Sequence, residues 1–388
     1  MFALWGFAVA TAYVPGIYSA PYMPRYWAIA IGLALVAKLD LAAIDEKILW
    51  CIGVLLLWSG LTLLWSPALY GGGLSVALMA LFCLCIVASA AMTAAQRSLL
   101  LRGFALGMAI SAVVGLSQKY LGLNEIPQGA PPGGLFFNSE VLAETCAPIA
   151  VWCALQKDKI WWCVAGLLAV IVLASGERIG CAVLALGLIY GLVQHRGWRF
   201  ALFTALAVAG ALSLFLKAQS ADQRIMYWGT ALMSSSFAGS GVGWWFQAHP
   251  FPHEEYVHSD VLQSIVEIGL GSVALVAIGV LAWRGRGTRA ERAMFLALVV
   301  ETLVSFPLHM PATSFLLAVA AGGLCCRRSD IRVAGLSVRA RDGLGVRWAA
   351  ACARAVSFGG AGFRALVPVR SALAQHAGVD RAAGCGSV

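Results

Sequence analysis

The chain has 388 residues, of which 61% are hydrophobic and 12% charged, with a mean hydropathy of +0.83 and a net charge of +9. A water-soluble globular domain has no interior large enough for that much apolar surface, so lipid is the solvent that the composition implies. The basic excess comes with no aromatic-basic motif for reading nucleic acid, and a membrane surface is the partner it fits.

Apolar runs of the length that crosses a bilayer as a helix recur along the chain. About twelve spans are expected, near 2–18, 26–42, 47–65, 73–92, 99–121, 137–155, 160–175, 178–194, 198–216, 260–283, 291–306 and 310–326. The first has no Lys or Arg before it and no small-residue cleavage site, so it reads as a retained helix. The fold class expected is therefore an all-α polytopic membrane protein, with a transmembrane domain over 1–326 and a basic, disordered tail over 327–388. The eleven cysteines show no C-x-x-C pair and read as small core hydrophobes, and no metal ligand set is expected.

Of the 27 Lys and Arg, 12 fall in alternate connections: Lys38, Lys47, Arg97, Arg102, Lys157, Lys159, Arg196, Arg199, Arg284, Arg286, Arg289 and Arg292. The positive-inside rule makes those connections, and both termini, cytoplasmic. Two of the opposite, external connections are irregular. Gly122–Leu135 carries I-P-Q-G-A-P-P-G-G, which ends helices on both sides. The loop over 217–259 is the longest, and within it Ile225, Trp228 and Leu232 at i, i+3 and i+7 predict a short amphipathic helix at the interface. No internal repeat of the kind found in inverted-repeat transporters is visible.

Ionisable residues at membrane depth are costly and so are functional candidates. Arg178, Arg224, His258, Asp260, Glu267 and His309 all map to the external side. Asp260, Gln263, Ser264 and Glu267 at i, i+3, i+4 and i+7 form one polar stripe over the first two turns of the tenth span. Packing against a neighbouring helix is the alternative role for that stripe. Arg178 and Arg224 suit bidentate contact with phosphate oxygens, or serve as interfacial anchors. His253, Glu254 and His258 invite comparison with H-E-x-x-H, but histidines five apart lie about 140° apart on a helix, which argues against zinc. His258 could instead accept a proton from a sugar hydroxyl, or form part of a helix cap beside Ser259. Glu140 and Glu144, at i and i+4 after Asn138, are candidates to line the cavity, though a first-turn carboxylate also complements the helix dipole.

The string V-H-S-D-V-L-Q-S-I-V-E-I-G-L-G over 257–271 resembles the His-(Asn/Ser)-x-x-Leu-x-x-x-x-Glu-x-Gly signature of the O-antigen ligase and polymerase superfamily, through His258, Ser259, Leu262, Glu267 and Gly269. Its next glycine, Gly271, stands one place earlier than in that pattern. Three shorter matches occur in the family's order. A-S-G-E-R-I-G over 174–180 is similar to a Ser-x-Arg-Gly type turn with Glu177 interposed. R-I-M-Y-W-G-T-A-L followed by G-S-G-V-G over 224–243 is similar to an Arg-x-x-x-Trp and Gly-x-Gly region. V-S-F-P-L-H-M-P-A over 304–312 resembles a late Asp-Phe-x-Leu-His-x-Pro-Ala segment in which Ser305 replaces the acidic residue.

The resemblance covers roughly 100–326 and implies a GT-C-like, metal-independent glycosyltransferase of the bacterial inner membrane with its site facing the periplasm. No cofactor is implied. The donor would be an undecaprenyl-diphosphate-linked glycan and the acceptor lipid A-core or another glycan. Arg178 and Arg224 would hold the diphosphate, His258 would orient or deprotonate the acceptor hydroxyl, and Glu267 would support the site. Asp260, Gln263, His309 and Glu140 are further cavity candidates. The ligase and polymerase readings stay open, and a lipid-linked glycan transporter or flippase is the reading from another class.

Overall fold

The computed structural model describes residues 1–14, 21–36, 39–123, 126, 131–195, 221–248 and 257–326. The expected span over 198–216, the tail over 327–388, and His253 with Glu254 lie outside the described residues. Within them the chain is all-helical, with no strand. In chain order the helices are α1 (Phe2–Thr11), α2 (Met23–Val36), α3 (Glu46–Thr62), α4 (Leu69–Ala91), α5 (Ala94–Leu121), α6 (Ser139–Ala154), α7 (Lys159–Ser175) and α8 (Arg178–His195). They continue as α9 (Ala221–Ser234), α10 (Trp244–Ala248), α11 (Asp260–Ile268), α12 (Ser272–Trp283), α13 (Arg289–Val304) and α14 (Pro311–Cys325).

Three of these helical stretches, Leu69–Ala91, Ala94–Leu121 and Asp260–Trp283, are long and apolar enough to cross a membrane. The other expected spans that can be described carry shorter helices; the first covers Phe2–Thr11 only. The outer surface is apolar in stripes. Trp50, Val54, Leu57 and Leu61 are exposed along one face of α3, and Val273, Val276 and Val280 along one face of α12. Such faces would be unfavourable in water and suit contact with lipid tails. Inward, all fifteen residues of α14 are buried, and α6 is buried along nearly its whole length. A helix apolar on every side belongs at the centre of the bundle.

Local sequence sets the helix ends. Thr93 with Gln96, and Thr288 with Glu291, form reciprocal capping boxes at the starts of α5 and α13. Glu291 has a second role, because its Oε1 accepts a 2.7 Å bond from Nε of Arg97. Arg97 also donates to the carbonyls of Met92 and Ser89. With side chains only 5% and 4% exposed, this pair joins α4, α5 and α13 at one end of the bundle. At another junction, the guanidinium of Arg25 is held by the carbonyls of Pro21, Ala10 and Leu135 and lies over the Phe136 ring.

The third long stretch is not a continuous helix. It breaks at Gly269, with φ 52 and ψ −124, and a short turn over Gly269–Gly271 leads into α12. Backbone groups released by such a break need partners wherever water is excluded. The carbonyl of Ile268 accepts from Trp58 Nε1 at 2.7 Å, and the amide of Leu270 donates to Phe237 at 3.0 Å. The amides of Ser240 and Gly241 donate to the carbonyls of Val266 and Glu267. The glycine-rich loop over 237–243 therefore lies directly on the break. At Gly239, which has φ +80, a Cβ would stand 2.4 Å from the carbonyl oxygen of Glu267, so only glycine fits there.

Removing one partner of a buried ion pair leaves an uncompensated charge, whereas an exposed pair contributes little. Arg97→Ala should cost about 3–5 kcal/mol of stability. Arg102→Ala, which breaks the contact to Asp158 between side chains 39% and 64% exposed, should cost no more than about 1 kcal/mol. Thermal unfolding of the two variants in detergent measures the contrast.

Candidate functional site

The first turn of α11 organises the polar end of the bundle. Ser259 caps the helix by accepting from the Leu262 amide. Asp260, 2% exposed, then clasps the connection between α13 and α14. Its Oδ1 lies 2.6 Å from Nδ1 of His309, its Oδ2 accepts from the Leu308 amide at 2.7 Å, and its own amide donates to the Ser305 carbonyl at 3.0 Å. The backbone of His309 is fixed as well, since its carbonyl accepts from the Tyr26 hydroxyl. With Nδ1 on Asp260, Nε2 is the ring nitrogen on the far side. Burial pulls the His309 pKa down, but the hydrogen bond and charge of Asp260, helped by the charge of Glu267, outweigh it and hold the imidazolium above the ordinary histidine range.

Helix α9 supplies the guanidinium. Arg224, Tyr227, Trp228 and Ala231 recur at i, i+3, i+4 and i+7. Tyr227 and Ala231 are buried and Trp228 partly so, while Ile225, Met226, Leu232 and Met233 face outward. The predicted stripe of Ile225, Trp228 and Leu232 is thus divided, with Ile225 and Leu232 on the outer face. Arg224 Nη1 donates to the Val304 carbonyl at 2.9 Å, and Nη2 meets Oε1 of Glu140 at 3.1 Å. Two of its five N–H donors are engaged in this way. Glu140 sits in the first turn of α6, where Asn138 caps the helix. In the adjoining turn, Glu177 accepts from the Ser139 hydroxyl at 3.0 Å. Burial and then the charge of Glu140 push Glu177 above the ordinary carboxyl range, against the pull of Ser139, Arg224 and Arg178. Arg178, the first residue of α8, thus belongs to the same electrostatic neighbourhood.

Deeper in the bundle, Glu144 stands one turn beyond Glu140 and accepts a 2.9 Å bond from the Ser305 hydroxyl. The carboxyl group beside Ser305 thus comes from α6. Glu301, one turn before Ser305 on α13, adds a fully buried carboxyl within electrostatic range of Glu144, Asp260 and Glu140.

The remaining sequence candidates have different surroundings. The His258 ring stacks on Tyr227 with centroids 6.0 Å apart and meets the edge of Phe306 at 5.1 Å. Its backbone has φ 57, and its carbonyl accepts from Trp228 Nε1. This histidine is set among aromatic rings at the join between α9 and α11. Glu267 accepts from Gln263 Nε2 at 3.2 Å and from the amides of Gly243 and Trp245. It thereby satisfies the first amides of α10 and pins the glycine loop to α11. Gln263 also accepts from the Val257 amide. The polar stripe of α11 therefore faces protein, with Asp260 directed at the α13–α14 connection and Glu267 at the loop.

Sequence reasoning missed Glu177 and Glu301 as members of this cluster and underweighted the Asp260–His309 pair. Glu301 carried a readable signal, being the lone ionisable residue in the run F-L-A-L-V-V-E-T-L-V. The clasp carried none, because its partners are separated by two helices. Among the described residues, no group of three or more His, Cys, Asp or Glu is arranged to hold a metal ion. Cys83, Cys85, Cys146, Cys153, Cys181 and Cys325 are free and buried. No family model matches the chain, and comparison with curated proteins finds no significant match.

Asp260→Asn should drop the His309 pKa from above the ordinary histidine value to below it, because burial then acts with little opposition. Histidine-selective NMR of the two proteins across a pH series reads the shift directly. An unmoved titration would show that Asp260 does not set the charge of this ring.

Proposed function

We propose that the chain transfers a glycan from undecaprenyl diphosphate to an acceptor hydroxyl at the periplasmic face of the bacterial inner membrane, in a GT-C-like bundle of about twelve spans. The observation that carries this reading is the imidazole of His309, oriented by buried Asp260 at 2.6 Å, beside a connection whose preceding carbonyl, that of Val304, is bound by Arg224. A carboxylate-oriented imidazole, once it has lost its proton, is suited to act as a general base, and a nearby guanidinium suits a diphosphate leaving group. The resemblance of 257–271, 174–180, 224–243 and 304–312 to the O-antigen ligase and polymerase superfamily supports the same reading.

In this scheme the acceptor oxygen attacks the anomeric carbon of the donor sugar. Its proton passes to Nε2 of His309, the bond from the anomeric carbon to the phosphate oxygen breaks, and undecaprenyl diphosphate departs with the electron pair. Arg224 and Arg178 stabilise the departing anion, work that fixed cations can do without a metal. His258 lines the acceptor side with its aromatic neighbours. Glu267 holds the loop that frames the site. The O-antigen ligase form, with lipid A-core as acceptor, is the principal version; repeat-unit polymerisation uses the same chemistry on another acceptor. A transporter or flippase for lipid-linked glycan is the second reading, favoured by the two carboxyls buried deep between α6 and α13.

The lipopolysaccharide profile and the lipid-linked glycan pool of the host, with and without the gene, test the proposal. Core lacking all O-chain alongside accumulated lipid-linked polymer indicates ligase, core bearing one repeat indicates polymerase, and an unchanged profile counts against both. At equal membrane levels, Arg224→Ala should lower transfer roughly 10²–10³-fold, the loss expected for one preorganised donor to a developing anion. His309→Ala should lower it roughly 10²–10⁴-fold. Since His309 accepts a proton only after losing the one it holds, transfer should rise with pH through a range above the ordinary histidine value. Asp260→Asn should move that rise to lower pH and reduce the maximum rate.

A further inference from the structure

The polar end of the bundle holds more acid than base. Facing Glu301 and its surroundings are Glu140 and Glu144 from α6, Glu177 from the turn before α8, and Asp260 from α11. Opposite them stand Arg224 from α9, Arg178 from α8 and, when protonated, His309. Glu267, whose charge also reaches His309, is held by Gln263 and the amides of Gly243 and Trp245; among the described residues the other five carboxyl groups meet three cations, and fully ionised they would leave two uncompensated negative charges.

The two that lack compensation can be identified. Glu140 has Arg224, Glu177 has the Ser139 hydroxyl with Arg178 alongside, and Asp260 has His309 and an amide. Glu301 is 0% exposed, and among the described residues neither of its carboxyl oxygens has a hydrogen-bond partner. Glu144 is 1% exposed; one oxygen receives the Ser305 hydroxyl, and among the described residues the other receives nothing. Ser305 lies four residues after Glu301, on the same helical face at the end of α13, and its amide donates to the Glu301 carbonyl. Its hydroxyl therefore marks where the α13 face meets Glu144. An unpaired carboxylate is costly in a water-excluded interior, and a second one within electrostatic range makes it costlier. A proton removes the charge and gives the carboxyl that binds it a donor of its own.

We propose that Glu144 and Glu301 form a proton-binding carboxyl pair inside the bundle, loaded at neutral pH, that sets the charge of the polar cluster around Arg178, Arg224 and His309. With both protonated, Glu140, Glu177 and Asp260 balance Arg178, Arg224 and protonated His309, and the cluster tolerates an anion beside it. With the pair emptied, the cluster is negative and repels one. The site binds protons whether or not the chain transfers glycan.

Infrared spectroscopy of the full-length protein in lipid nanodiscs tests the site. The wild type at neutral pH should show a protonated-carboxyl stretch that shifts in heavy water and fades as the medium is made alkaline. The band should be lost from the double variant Glu144→Gln, Glu301→Gln, whose side chains keep the same shape and whose folding circular dichroism verifies. Dicyclohexylcarbodiimide, which reacts with protonated carboxyls in apolar surroundings, should modify Glu144 or Glu301 of the wild type, as mapped by mass spectrometry. A wild-type spectrum without the band at neutral pH overturns the proposal with no variant needed. So does a band undiminished in the double variant, which would belong to other carboxyls. Abolition of the band by sodium or calcium at fixed pH would make the pair a metal-cation site and would equally overturn it.

Discussion

A helix that breaks where water is excluded must find new partners for each backbone group it releases, and the break at Gly269 governs how the polar half of this molecule is built. The partners come from far along the chain: the Trp58 indole, the Phe237 carbonyl, and the amides of Ser240 and Gly241. Because the glycine loop is drawn down onto the break, Glu267 can reach the first amides of α10, and α11 keeps its own direction, separate from α12. That direction brings Asp260 to the connection between α13 and α14. Without the break, one continuous helix would run through, and the clasp on Ser305, Leu308 and His309 would have no reason to form where it does.

Two kinds of polar interaction divide the work of the bundle. At the Arg97–Glu291 end, a guanidinium and a carboxylate neutralise one another and cap a helix, leaving little for a ligand. At the Asp260 end the pairing is incomplete. Arg224 spends two donors on Val304 and Glu140, and among the described residues carboxyls outnumber the cations around them. Structural pairs are generally closed, whereas surplus charge at depth has to be justified by something that comes and goes.

Much of this was legible from the residues. Apolar runs located most of the helices, the Thr93–Gln96 and Thr288–Glu291 patterns are readable starts, and the spacing of Asp260, Gln263 and Glu267 gave one buried face. What each member of that face touches was not legible. Glu267 and Asp260 lie two turns apart on one helix yet are bound to segments that precede and follow it, a matter of tertiary geometry that periodicity does not encode. The break itself was hidden because Gly269 and Gly271 are ordinary residues for a membrane helix. His258 drew attention as a histidine at a signature position, while His309, in a short connection, has the carboxylate that orients an imidazole.

The burial of α14 bears on how the protein is made. Every residue of this helix is enclosed, and it packs against α2, α4, α6, α12 and α13. All of these emerge from the ribosome before it, since chains are synthesised and begin to fold from the N-terminus. Until residues 311–325 arrive, the earlier helices must wait around an unfilled slot. The centre of the molecule is thus its last described part to be delivered. A ribosome that stalls shortly before this point would leave a bundle with an empty centre.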